Sequence, residues 1–366
     1  MRRERRDGER SQVLVLAAVI MAAMVGLLAF SVDTGIFLEA RRELSNAADA
    51  AALAGISDLP ADNAAALAAA ARYSADIAEN PDAIARRLCE IGGGTTPTHT
   101  STIGQRPLAG GGFVHTLTVT TECTAGHIFG RVLGLATTPI SATAVAAKGS
   151  LTAPNCPFPL GADLDLNGPA PGDGYVFDGT TMISLKIGSV QHGNAHAVAF
   201  GARGGAAFRD WLAGQCSGTF RTGETVDSEP GTMVGPTGQG LTGPPGPLRS
   251  CTGAGRPALC AQQPAPGVPY EAACPDTVAS VLGSPPSPVV LRDSACLRVL
   301  PVVDWTGVHG RETMQVVRWA VFFITGYAND PPDHKAEIWG LFVRTSVLGD
   351  MGAYDPNSVP VIRMIR

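Results

Sequence analysis

The sequence predicts an α+β protein: one N-terminal transmembrane helix that continues as an alanine-rich stalk, followed by a β- and loop-rich ectodomain. Three observations carry this. Val13 to Val32 is a twenty-residue run without charge or proline, long enough at 1.5 Å per residue to span roughly 30 Å of bilayer hydrocarbon. Beyond it, apolar residues recur at three- and four-residue steps, as on one face of a helix. The 366-residue chain as a whole has few charges and is rich in glycine (44) and proline (28), a composition that favours strands and loops over a helical bundle outside the membrane.

The span is flanked asymmetrically. Residues 1–12 carry arginine at 2, 3, 5, 6 and 10 with acids only at 4, 7 and 9, whereas the next basic residues after the run are Arg41 and Arg42. The positive-inside bias puts residues 1–12 in the cytoplasm as a basic stub, residues 13–32 in the membrane and the remainder outside. A cleaved signal peptide would share the basic start and apolar run. The length of the run, the sparse cleavage pattern at Ala29-Phe30-Ser31 and the continuing helical period favour a retained anchor. A soluble core helix would be expected to show a polar stripe, and the run has none before Ser31.

Residues 33–90 read as the helical stalk. Ile36, Phe37, Ala40, Leu44, Ala47, Ala48 and Ala51 form the apolar face, and Ser57, Asp58 and Pro60 end the first helix. Asp62 or Asn63 caps a second helix running to about Ala78. Asn80-Pro81-Asp82 marks a third, short one ending near Cys89. Residues 91–150 read as a small pilin-like β section. It has a Gly/Thr/Pro loop, strands at Phe113–Thr121 and Ile140–Ala147, and a short helix between Ile128 and Leu135.

Residues 151–366 read as a disulfide-stapled, β-rich ectodomain. Strands are expected at Gly174–Asp178, Met182–Ile187, Val198–Phe200, Val289–Leu291, Leu297–Val303, Met314–Thr325 and Lys335–Val347, with a helix at Phe208–Cys216. The two longest runs are expected to pair across the loop at Asn329 to Asp333. Residues 229–288 are expected to be mostly loop.

The eight cysteines, Cys89, Cys123, Cys156, Cys216, Cys251, Cys260, Cys274 and Cys296, all follow the span and contain no C-x-x-C. In an exported chain they read as up to four disulfides of undetermined pairing, since zinc sites need short paired spacings.

Chemistry is sparse. Asp163, Asp165 and Asn167, with Gly168, match the first half of a calcium loop. Gly174 stands where its bidentate acid belongs, so an Asx-rich turn competes with metal binding. His192 and His196 are four apart, but Gly193 and Asn194 argue for a loop rather than a metal-binding helix. There is no G-x-S-x-G elbow, no phosphate loop and no isolated nucleophilic cysteine. Trp305, Trp319 and Trp339 read as packing residues. No catalytic residue, no cofactor and no enzymatic activity are expected. The net charge of −5 gives no reason to expect nucleic acid.

Several segments resemble a known family. Gly8-Glu9-Arg10-Ser11-Gln12, the apolar run, Val32-Asp33-Thr34-Gly35 and the stretch Ala40-Arg41-Arg42-Glu43-Leu44-Ser45-Asn46-Ala47-Ala48-Asp49-Ala50-Ala51-Ala52-Leu53-Ala54-Gly55 resemble the TadE/TadG-like proteins of tight-adherence (Flp) pilus assembly. Phe129-Gly130-Arg131-Val132-Leu133-Gly134 is similar to that family's F-x-R-V-L-G. The segments Glu229 to Thr237 and Leu300 to Asp304 resemble motifs of its longer members. The resemblance implies a non-enzymatic, membrane-anchored component of pilus assembly or a related envelope apparatus. Its partners would be the membrane and other pilus-assembly or envelope proteins, met through the span and stalk. Gly8 precedes the span as in cleaved pseudopilins, but Val13 replaces the glutamate expected five residues on, so processing there is not expected. An exported binding module, stabilised by calcium at Asp163, Asp165 and Asn167, and a membrane-tethered hydrolase are the rival readings.

Overall fold

A 53-residue helix, α1 (Glu4–Ile56), carries both the apolar run and the stalk face without interruption. The computed structural model describes residues 4–163, 182–186, 194–244, 246–247, 296–330, 335–343 and 346–365. Two units can be distinguished, one from residues 1–106, 114–148 and 363–366, the other from 107–113 and 149–362.

In the first unit α1 changes character along its length. Its membrane half exposes Val15, Leu16, Val19, Leu27, Leu28 and Phe30. Beyond Asp33 it buries Ala40, Leu44, Ala47, Ala48, Ala51, Ala52 and Ile56. A turn containing the cis Leu59–Pro60 peptide follows. Asp62 then caps α2 (Asn63–Ser74), its side chain accepting from the Ala65 N–H at 2.8 Å. One wider π-type turn, Ala75–Glu79, extends it. The third helix, α3 (Ile84–Glu90), begins later than Asn80-Pro81-Asp82 suggested. Asn80 Oδ1 accepts from the Asp82 N–H at 3.0 Å, closing a local turn, and the regular helix starts only after it.

Strands β1 (Thr98–Pro107), β2 (Phe113–Gly126) and β3 (Thr137–Ala153) follow in that sheet order. β2 and β3 pair antiparallel from His115↔Lys148 to Gly126↔Thr137. β1 lies where only a Gly/Thr/Pro loop was expected. It is an edge strand of mostly polar, exposed residues, so it lacks the alternation that betrays a half-buried strand. Between β2 and β3 the expected short helix is a 3₁₀ turn, Gly130–Leu133.

Small residues set the packing here. A Cβ on Gly55 would run into the Ala66 carbonyl of α2 and the Leu117 side chain of β2. Gly55→Val is therefore expected to cost about 3 kcal/mol by overpacking, read as a lowered unfolding midpoint of the reconstituted protein. An unchanged midpoint would show that the three elements can move apart freely.

The second unit holds the sheet β4-β8-β10-β11-β5: β4 (Ala162–Asp163), β5 (Met182–Lys186), β8 (Leu297–Val303), β10 (Arg318–Asp330) and β11 (Lys335–Phe342). The expected pairing of the two longest runs is present, from Phe322↔Phe342 to Asp330↔Lys335. Around it lie buried Trp319, Phe322, Phe323, Leu300, Val302 and Phe342. The run Met314–Thr325 is not one strand. It supplies β9 (Thr313–Gln315) to a second sheet with β6 (Asn194–Ala199) and β7 (Thr225–Pro230), in the order β6-β7-β9, before entering β10. At the changeover Val316 N–H donates to Glu224 O and Val317 N–H to Val302 O, one valine serving each sheet.

Two helices complete the unit: α4 (Gly205–Leu212), a few residues before its expected place, and α5 (Val234–Thr242). Of residues 229–288, expected to be mostly loop, the structure describes 229–244 and 246–247, where β7 ends at Pro230 and α5 forms a helix the composition did not suggest. Gly240 is small enough to let α5 lie against Arg209 and Leu212 of α4, so what reads as loop composition is a contact face. Short strands β12 (Asp350–Gly352) and β13 (Pro360–Ile365) end the chain, β12 pairing with Ser150–Ala153. The expected strands Gly174–Asp178 and Val289–Leu291 lie outside the described residues.

Candidate functional site

Of the residues singled out for chemistry, few come together. Asp163 ends β4 beside Val303, while Asp165 and Asn167 lie outside the described residues. His192 is also outside them. His196 sits in β6 at a φ of 56°, its Nδ1 3.2 Å from Leu185 O and its ring stacked on Trp305 at 4.8 Å. Trp305 Nε1 donates to Gly161 O, and Trp319 is fully buried. Among the described residues no three His, Cys, Asp or Glu side chains cluster as metal ligands would. Cys89 is bonded to Cys123 and Cys156 to Cys216, and Cys296 is disulfide-bonded as well. Cys251, Cys260 and Cys274 lie outside the described residues.

The densest polar arrangement centres on a residue that had no assigned role. Asp33 is the first position after the apolar run, and it is almost fully buried while Val32 before it is exposed and Thr34 after it is half-buried. Its Oδ1 accepts from the Ile128 N–H at 3.0 Å, its Oδ2 from the Gly130 N–H at 2.8 Å, and both oxygens approach the Phe129 N–H at 3.2–3.3 Å. The three consecutive amides open the 3₁₀ turn, whose first N–H groups have no partner within it. The carboxylate therefore caps this turn from a different element.

His127 closes the arrangement. Its Nδ1 lies 3.4 Å from Asp33 Oδ2, and its Nε2 is 2.8 Å from the Thr138 hydroxyl. A proton on Nδ1 lets the ring donate to the carboxylate and accept from Thr138, the one neutral tautomer that satisfies both contacts. Phe37, one turn along α1, meets the ring edge-to-face at 4.6 Å. Arg131 donates to Gly92 O and ties the turn to the loop after α3. Burial pushes the Asp33 carboxyl up. The three amides and His127 outweigh it and hold the group below the usual carboxylate range.

Nothing here resembles a nucleophile-and-base constellation. The arrangement is a clasp between the exit of a long apolar helix and a hairpin turn, and its two halves are segments already noted together, Val32-Asp33-Thr34-Gly35 and Phe129 to Gly134. The helix itself is the only one among the described residues long and apolar enough to cross a membrane, with a mean hydropathy of 2.6 over its most apolar window. Residues 12–59 match the model of the Flp pilus-assembly TadE/G-like family. This segment is TadE/G-like. The TadE/G-like match begins at the foot of the apolar run and ends in the turn after α1, so it covers the membrane half, Asp33 and the buried stalk face together. No curated protein and no solved structure matches the chain.

The other two noted motifs are structural in the second unit. Glu229 is buried at the end of β7, accepting from the Gly204 N–H at 2.8 Å with the Arg311 guanidinium 3.6 Å away. Leu300, Val302 and Val303 of β8 point into the core, and Asp304 Oδ1 accepts from the Thr306 N–H in the turn beyond.

Proposed function

We propose that the chain is a non-enzymatic, single-span component of a Flp-type pilus-assembly apparatus, with residues 1–12 in the cytoplasm and the chain beyond residue 32 outside. The observation that carries this reading is the TadE/G-like match over residues 12–59, which coincides with a helix unbroken from the apolar run to Ile56. The charge asymmetry around the run supports the orientation. In this reading α1 anchors the chain and builds the core of the first unit. Partner subunits of the apparatus meet its exposed side, where Leu38 and Leu53 stand out of the core.

Cells lacking the chain are expected to show no Flp-type pili by electron microscopy. Restoring the full chain returns them, and a version with an unrelated anchor in place of residues 12–59 does not. Normal piliation without the chain, or full rescue by the substituted anchor, would overturn the proposal. Externally added protease should digest the chain beyond residue 32 on intact spheroplasts and spare a tag on residues 1–12; the reverse pattern would refute the orientation.

A further inference from the structure

The β2–β3 hairpin runs along α1 with its tip toward the apolar run. Leu117 of β2 sits at Gly55, the Thr121 hydroxyl donates to Leu44 O at 2.9 Å, and Ile128 to Gly130 donate to Asp33. Successive contacts step back along α1 by eleven residues each, about 16 Å per step. Helical side chains lean toward the helix N-terminus. The Asp33 carboxylate, and the turn it holds, are thereby drawn level with the last residues of the apolar run.

That turn carries exposed apolar side chains. Val132 is 88% exposed, and Ile128, Phe129 and Leu135 are exposed too; on α1, Phe30 at 71% and Val32 are exposed just before Asp33. Arg131 stands among them. A large apolar residue is costly to hold in water, and here four lie within eight positions on a turn bonded to Asp33, the first residue after the apolar run. Apolar tips with an intervening arginine are the composition of segments that lie in the headgroup and acyl boundary of a bilayer.

We propose that the hairpin tip, through Ile128, Phe129, Val132 and Leu135, inserts into the bilayer leaflet on the ectodomain side as a second membrane contact. The occupant of this patch is lipid, because the turn that carries it is bonded to the residue directly after the membrane-spanning run. The inference rests on the reading of α1 as a membrane anchor. Two points of attachment, joined by the buried Asp33 clasp, would fix the tilt and rotation of the first unit against the membrane, which one helix alone leaves free.

The test uses the full chain in liposomes containing lipids brominated on their acyl chains, with one tryptophan added at a time. Phe30→Trp reports the span. Val132→Trp reports the tip, with Ile128→Trp as a second position in case the first disturbs the turn. Leu53→Trp, about 35 Å farther along α1, is the control outside the membrane. Both tip variants are expected to be quenched by about half as much as Phe30→Trp or more, and Leu53→Trp to be unquenched. Strong quenching at Phe30→Trp with tip variants behaving like Leu53→Trp overturns the inference and leaves the anchor standing. A tip emission shifted to the blue without quenching also overturns it, since a second copy or another protein then covers the patch. Absence of quenching at Phe30→Trp removes the anchor reading itself, and the inference with it.

Discussion

Asp33→Ala is expected to destabilise the first unit by about 3 kcal/mol. Three consecutive amides lose their acceptor at a site shielded from water, and an unsatisfied buried amide costs roughly 1–3 kcal/mol, moderated here because only the Gly130 donor is fully buried. Asp33→Asn keeps one acceptor oxygen but turns an NH₂ group toward the same donors, so a smaller loss is expected. Hydrogen exchange at Ile128, Phe129 and Gly130 should accelerate in both variants, while amides in β8 and β10 keep their protection. Equal protection in variant and parent would mean the clasp holds nothing. The electrostatics add a direction with pH. The folded carboxyl lies below its ordinary range, so its contribution is complete above about pH 4. It fades as pH falls through the lowered folded value, and the wild-type turn should loosen only in strongly acidic solution.

The second large effect lies in the disulfide between Cys89 of α3 and Cys123 of β2. It closes a loop with a sequence separation of 34, for which the chain-entropy account gives about 4 kcal/mol. Both cysteines sit among Ala40, Leu44, Ala47 and Ala85 in the core of the first unit. Cys89→Ala together with Cys123→Ala keeps that environment apolar and removes the link. The pair should lower the stability by this amount, read as a lowered denaturation midpoint, and leave the bond between Cys156 and Cys216 intact. A midpoint within error of the parent would show that the helices and sheet hold together without it.

These effects fall on residues of unequal visibility in the sequence. The long helix was legible because two signals overlapped: an uncharged run of membrane length, then an alanine-rich period with Leu44 at its centre. β8 and the pairing of β10 with β11 were legible because strongly apolar strands in a buried sheet announce themselves. β1, β7 and α5 were not. β1 pairs by backbone alone at an edge, Pro230 and acidic Asp227 and Glu229 disguise β7, and α5 trades side-chain volume for close approach through Gly240. The break between β9 and β10 was invisible because valine suits either sheet equally well.

The clasp was half legible. Val32-Asp33-Thr34-Gly35 and Phe129 to Gly134 stood out as family-like segments, yet their junction is a tertiary event between residues 95–97 apart. A charged residue directly after an apolar run is the one local hint. It reads first as an end-of-membrane marker, since an acid there is ordinarily solvated, and only burial distinguishes the two.

Because α1 supplies both the apolar span and one wall of the core of the first unit, the order of synthesis has a consequence. The ribosome completes Ile56 well before Ala153, the end of β3, and at typical elongation rates that interval is on the order of 10 s. For that time Leu44, Ala47, Ala48 and Ala51 have no sheet to pack against, while the segment before them is already fit for lipid. The nascent chain must therefore wait with an apolar stripe uncovered at the membrane surface, a window in which a chaperone or a neighbouring helix could bind the stripe before its own hairpin arrives.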